Sequence, residues 1–199
     1  MTSVSIAGDK NLTITTALVN AVTTVDASAA TGKVNVGIAT GGDVTVTGGS
    51  GADTITIAGL TKADTIDGGD GSDTLKITAG ATQTFLDHKI SNIEILEIAN
   101  PAGNSTNDVK AIDDTTSISL IAGVTNTDIV VSNLAAAQAV TVTNDSAGTL
   151  ELGNVAINLE DDTGLTDSMT VNLVAKTNAA QTLDLLTVDD ASETLNLDV

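Results

Sequence analysis

The sequence holds no cysteine, arginine, tryptophan or tyrosine, and only one phenylalanine and one proline in 199 residues. Each absence removes a class of explanation. Without cysteine there is neither a disulfide framework nor a thiolate metal site. With one phenylalanine and no other Phe, Tyr or Trp there is no aromatic floor of the kind that sugar-cleaving clefts generally use. Seven Lys face 21 Asp and five Glu, a formal net charge of −19 that repels phosphate and anionic lipid, so neither nucleic-acid binding nor membrane insertion is expected. No window approaches 18 continuous apolar residues, and Met1-Thr2-Ser3 runs straight into "VSIAG" without the basic and apolar regions of a cleavable export signal. The sole histidine, His88, has no His-Glu-x-x-His helix around it and no oriented partner, so zinc-protease, Ser–His and Cys–His chemistry lack their base. No enzyme is expected. The closing "ASETLNLDV" stops in a strand-like alternation, as a piece of a longer chain would.

What is present is 41% apolar residues, nearly all Ala, Val, Ile and Leu, beside 33 Thr. Small and β-branched side chains stack in thin layers, which favours β-sheet over a helical bundle. The excess of Asp over Glu suits turns and hard-cation sites rather than helices, and makes a cation the expected partner.

Rows of twenty residues, starting at Gly8, bring apolar pairs into a column: Leu12/Ile14, Val34/Val36, Ile55/Ile57, Leu75/Ile77 and Ile93/Ile95. A second column runs Val25, Val44/Val46, Ile66 and Phe85/Leu86. Each row thus predicts two short strands joined by turns, with one face buried and the other wet. The expected fold is all-β, a parallel β-solenoid or β-roll with coils of about 20 residues.

Beyond residue 100 the glycines thin out but apolar pairs continue at Ile118/Leu120, Ile129/Val131, Val140/Val142, Leu150/Leu152, Ile157/Leu159, Val171/Leu173, Leu183/Leu185 and Leu195/Leu197. Alternate pairs predict a looser coil, with a β-sandwich as the other arrangement of such strands. Pro101, Gly103 and the run "NSTND" suggest a boundary, giving 1–100 as a β-roll that holds the glycine-rich turns and 101–199 as its continuation or a second β domain. Two stretches, "TQTFLDHKISNIE" and "NLAAAQAV", lack turn residues and could be helical. Threonine reads as a plain β-former, because no single Thr column persists across the rows. The acidic runs Asp113-Asp114, Glu160-Asp161-Asp162 and Asp189-Asp190 read as solvated turns.

The residues that carry chemistry lie in "GGSGADTIT" (48–56) and "GGDGSDTLK" (68–76), which repeat one pattern: Gly48, Gly49, Ser50, Gly51 and Asp53, then Gly68, Gly69, Asp70, Gly71 and Asp73. Glycines let the backbone take positive φ and turn carbonyls toward a common centre, the Asp adds a charged oxygen, and the apolar residue two places on starts a buried strand. A spacing of one coil stacks the two turns about 4.8 Å apart, so that Asp53 and Asp73 face a single Ca2+. Asp64, in the imperfect "GLTKADTID", lies on the opposite edge above Asp43 of "ATGGDVTVT", a second and less complete site with Lys62 nearby.

These nonapeptides resemble the calcium-binding repeats of RTX (repeats-in-toxin) proteins, a likeness that implies a right-handed parallel β-roll folding on calcium after type I secretion. Their setting, from "VDASAATGKVNV" to "ISNIEILEI", looks like bacterial surface-layer proteins of the RTX group and large RTX adhesins. The resemblance implies a structural component that self-assembles into a lattice on the cell surface, with cell-surface polysaccharide bound through another part of the parent chain. The alternative is a spacer or ligand-binding domain of a secreted adhesin. A carbohydrate-active β-helix would need an acidic cleft.

Overall fold

Where Val, Ile and Thr alternate with polar residues the chain extends, because branched side chains restrict χ1 and pack well on a pleated surface. Nineteen strands, numbered in chain order, and no helix occur among the described residues. The computed structural model describes residues 2–39, 42–78, 83–84, 89–99, 105–110, 112, 114–122, 127–135, 138–144, 151–160, 168–175, 182–188 and 194–198. The chain divides into two compact units, Met1–Thr78 with Asp87–Leu96, and Ala79–Leu86 with Glu97–Val199. The expected boundary residues Pro101 and Gly103, like His88, Asp113, Asp161, Asp162, Asp189 and Asp190, lie outside the described residues.

In the first unit, β1 (Ser3–Gly8), β3 (Thr24–Ala30), β5 (Thr45–Thr47), β7 (Thr65–Asp67) and β10 (Lys89–Ser91) stack in that order, every pair parallel. The intervening strands β2 (Leu12–Thr13), β4 (Val34–Ile38), β6 (Thr54–Ile57) and β8 (Thr74–Ile77) stack likewise, also parallel. Each coil therefore gives one strand to each sheet, which is a parallel β-solenoid. Its core is two apolar columns: Val25, Val46 and Ile66 from one sheet, Val36, Ile55 and Leu75 from the other, all nearly inaccessible to solvent.

The register differs from the expected rows in three places. Ile55 pairs with Val36 rather than Val34, since Val34 stands opposite Asp53 and gives that carboxylate its N–H. In the fifth coil, Leu96 is fully buried while Ile95, whose N–H bonds the Asp73 carbonyl at 2.9 Å, is only half-buried, so the expected Ile93/Ile95 pair is displaced. Ile66 pairs with Ile90, not with Phe85 or Leu86, which lie outside the described residues. A hydroxyl column was also hidden by the rows: Thr24, Thr45 and Thr65 stand in register on three consecutive coils.

The second unit repeats the plan with longer strands. One sheet runs β9 (Gln83–Thr84), β12 (Ser105–Asp108), β14 (Thr127–Leu134), β16 (Glu151–Leu159) and β18 (Thr182–Val188); another series runs β13 (Ser117–Ala122), β15 (Ala139–Asn144), β17 (Ser168–Ala175) and β19 (Thr194–Asp198). The unit boundary falls within β11 (Ile95–Ala99). Every pairing among the described residues of this unit is parallel, which replaces the sandwich alternative with a parallel solenoid. Val140 pairs with Val171 and Ile157 with Val188, steps of 31 residues, instead of the shorter steps that alternate pairs suggested. The reason is strand length: the nine residues of β16 carry Leu152, Ile157 and Leu159 on one strand, so members of two expected apolar pairs belong to a single pass, while Leu150 lies outside the described residues. Neither helical expectation holds in the described parts, where 83–84, 89–91, 127–134 and 139–144 are strands.

Candidate functional site

The glycine and aspartate turns lie on one edge of the first unit, between the two sheets. They stack as their spacing predicts: Thr54 is opposite Thr74 and Ile55 opposite Leu75, so residues 48–53 sit one coil below residues 68–73. Gly48 and Gly68 donate their N–H groups to the carbonyls of Asp67 and Ser91 at 2.8 and 3.0 Å, each one coil further on. Ser50 and Asp70, both exposed, bond backward to the Ala30 and Gly49 carbonyls at 3.0 and 2.9 Å.

The need for glycine divides into two kinds. Gly69 and Gly71 have φ of 90° and 135°, conformations that L side chains rarely adopt. At Gly48 and Gly68 the obstacle is space: an added Cβ would lie 1.9 Å from the Gly68 carbonyl oxygen and 1.9 Å from the Asn92 carbonyl oxygen respectively. The same two points lie 2.9 Å from Asp53 Oδ2 and 2.8 Å from Asp73 Oδ2. Each missing side chain therefore leaves a carbonyl and a carboxylate oxygen close together.

The aspartates turn inward and form a ladder along the stack. Val34 donates its N–H to Asp53 Oδ1 at 2.7 Å, Asp53 donates to Asp73 Oδ1 at 2.7 Å, and Asp73 donates to Glu94 Oε2 at 2.6 Å, across separations of 19, 20 and 21 residues. Asp53 completes its set by accepting the Gly49 N–H on Oδ2 at 2.7 Å. On the opposite edge Asp64 does the same work, accepting from Val44 on Oδ1 and from Thr61 on Oδ2, both at 2.8 Å. Asp43, exposed, accepts the Thr61 hydroxyl at 3.2 Å. Burying a carboxylate is costly unless its oxygens are bonded, and these rungs are bonded to backbone.

One oxygen breaks the rule. Asp73 is fully buried, yet its Oδ2 accepts no hydrogen bond. Burial, together with the carboxylates of Asp53, Glu94 and Asp67, pushes its pKa up to about 6, against the pull of the Asp53 N–H. The contrast is Asp26 on the surface, whose carboxyl is held below its usual range by the Ser28 hydroxyl and N–H.

Three residues of this neighbourhood were not picked out from the sequence. Glu94 continues the ladder where a third nonapeptide would place its Asp. Asp67 accepts the Gly69 N–H at 3.2 Å and the Asn92 side-chain amide at 2.7 Å, with Asn92 in the left-handed region at φ 53°. The second unit repeats this corner: Asp108 accepts the Lys110 N–H at 3.1 Å and the Asn133 amide at 2.8 Å, with Asn133 at φ 58°. The available signal was the dipeptide Ser-Asn at 91–92 and 132–133, each 25 residues beyond the Asp that its Asn meets.

Calcium can be set against this arrangement. No group of three or more His, Cys, Asp or Glu side chains is arranged to hold a metal among the described residues, so an ion here would draw on backbone carbonyls as well. The residues fit such an ion in one respect: a buried carboxylate oxygen without a hydrogen bond, beside a carbonyl and a glycine, is what a hard divalent cation takes.

Fold and site together define a parallel β-solenoid clamped by inward-turned carboxylates. No protein-family model matches this chain, and neither does any curated protein or solved structure.

Proposed function

We propose that this chain is a structural, extracellular module of a bacterial surface layer, a β-solenoid that folds on calcium and self-assembles into a lattice on the cell surface. The observation that carries the reading is the stacking of two Gly/Asp turns of the same pattern one coil apart, with both aspartates buried. Buried carboxylates of one sign repel across the turns, and a divalent cation bound only by the folded coil would neutralise them and add its binding free energy to folding. Asp53 and Asp73, with carbonyls of the 48–51 and 68–71 turns, are the candidate ligands on one edge; Asp64 with Asp43 is the candidate pair on the other. A chain of this kind stays loose where calcium is scarce and folds where it is abundant, which suits export before folding.

The outer positions support a structural role rather than a catalytic one. They are rich in Thr, Asn and Asp, which suits polar and ion-bridged contacts between copies. Anchoring to surface polysaccharide is assigned to another part of a longer parent chain.

A calcium titration followed by circular dichroism and thermal melting tests the folding claim. The expected result is a gain of β signal and of melting temperature over the EDTA-treated chain; an unchanged spectrum and melt would overturn it. Electron microscopy tests the assembly claim, with calcium-dependent sheets expected. Separate particles under the same conditions would overturn the lattice and leave the spacer of a secreted adhesin as the better reading.

A further inference from the structure

The two nonapeptides are the same in pattern and differ in what their aspartates touch. Asp53 has both carboxylate oxygens on backbone N–H groups, Val34 and Gly49, at 2.7 Å each. Asp73 has one oxygen on the Asp53 N–H and the other on nothing. Gly69 is the counterpart of Gly49, so by the repeat its N–H belongs on Asp73 Oδ2. It goes instead to Asp67 Oδ1 at 3.2 Å, and Gly69 takes φ 90°.

The cause lies one position before the motif. Thr47 precedes the first glycine pair and Asp67 precedes the second, and the two stand opposite each other in the sheet. A hydroxyl leaves Gly49 to its own aspartate, whereas a carboxylate captures Gly69. Asn92, on the next coil, holds Asp67 in place through its side-chain amide at 2.7 Å. Its carbonyl oxygen and Asp73 Oδ2 are the atoms that an added side chain on Gly68 would meet, at 1.9 and 2.8 Å. The second turn thus gathers a bare carboxylate oxygen, a carbonyl oxygen and the charges of Asp67 and Glu94; at the first turn the carbonyl is also present, but the carboxylate oxygen beside it already accepts the Gly49 N–H.

We infer that the two turns have different roles: residues 48–53 form a metal-independent clamp, and the cation binds at residues 68–73, anchored by Asp73 Oδ2 and kept open by the Asp67–Asn92 pair outside the repeat. This rests on the calcium reading above and narrows it from a shared ion to one turn. The ligand class is a hard divalent cation, because every atom offered is oxygen and the charged ones are carboxylates.

The test measures calcium binding by titration calorimetry on the full chain, beside melting in EDTA, for wild type, Asp73→Asn, Asp53→Asn and Asp67→Thr. Asp73→Asn is expected to weaken calcium binding by about tenfold or more through the lost ligand charge, and to melt no lower than wild type in EDTA. Asp53→Asn is expected to keep calcium affinity within about threefold, and to melt lower than wild type with or without the ion. Asp67→Thr makes the second turn like the first; it is expected to return the Gly69 N–H to Asp73, weaken calcium binding and raise the melting temperature in EDTA. Equal loss of calcium binding in Asp53→Asn and Asp73→Asn would overturn the division of roles while leaving calcium stabilisation intact, as would unchanged binding in Asp67→Thr. A wild-type chain that binds no calcium would overturn both readings.

Discussion

Among single residues, the informative side chains are carboxylates whose oxygens replace backbone acceptors. A buried N–H left unpaired costs about 1–3 kcal/mol, so Asp64 relieves that cost for the buried Val44 while its other oxygen accepts the Thr61 N–H. Asp73 is the exception, and it has a pH signature. Folding raises its pKa from 3.8 to about 6, so between those values the folded chain binds a proton that the unfolded chain has released. The penalty of the charged form is absent below about pH 4, grows as pH rises toward about 6, and is complete at neutrality, where it amounts to about 2–3 kcal/mol. In EDTA, wild type is therefore expected to gain stability on acidification from about pH 7 to about pH 5 relative to Asp73→Asn, a difference that parallel melting series would read. Gly68→Ala gives a second expectation of this kind. Its Cβ has no space against the Asn92 carbonyl, and moving a neighbouring coil costs about 3 kcal/mol or more, visible as a lowered denaturation midpoint.

Among the strands, one of four residues gains little alone and is held by its place in the stack. In β6 and β8, Ile55, Ile57, Leu75 and Ile77 point inward, while Thr54, Thr56, Thr74 and Lys76 are half-buried on the outer side. Leu75→Ala is expected to cost about 2–5 kcal/mol in denaturant unfolding, and Thr54→Ala less than about 0.5 kcal/mol. Equal costs would contradict the assigned faces. The alternation in these strands was readable beforehand, since period two is a local property. Register was not: Val34 and Val36 both fit the column below Ile55, and the choice follows from Asp53 claiming the Val34 N–H. The long strands of the second unit misled for a related reason. Two apolar pairs on one pass look the same in sequence as two pairs on successive passes.

Across the chain as a whole, charge works against folding. A net charge of −19 on 199 residues opposes compaction by self-repulsion, and seven Lys relieve little of it. Raising monovalent salt from about 0.01 M to about 0.15 M shortens the Debye length from about 30 Å to about 8 Å. The melting temperature of the EDTA-treated chain is therefore expected to rise over that range, as a scanning-calorimetry series would show. A flat or falling series would show that surface repulsion is not what limits this fold.

The fold class, the step of about twenty residues in the first unit and the stacking of one Gly/Asp turn on the other were all legible in the order of residues. All three follow from local periodicity and from spacing, which survive without knowledge of contacts. The register, the entry of Glu94, Asp67 and Asn92 into the site, and the difference between Asp53 and Asp73 came only with the packed coils. The physical reason is that a buried carboxylate is defined by which N–H reaches it, and that N–H comes from another coil or from a glycine whose φ a neighbouring coil has set. Two stretches of the same pattern, "GGSGAD" and "GGDGSD", thus hold one aspartate that is satisfied and one that is not.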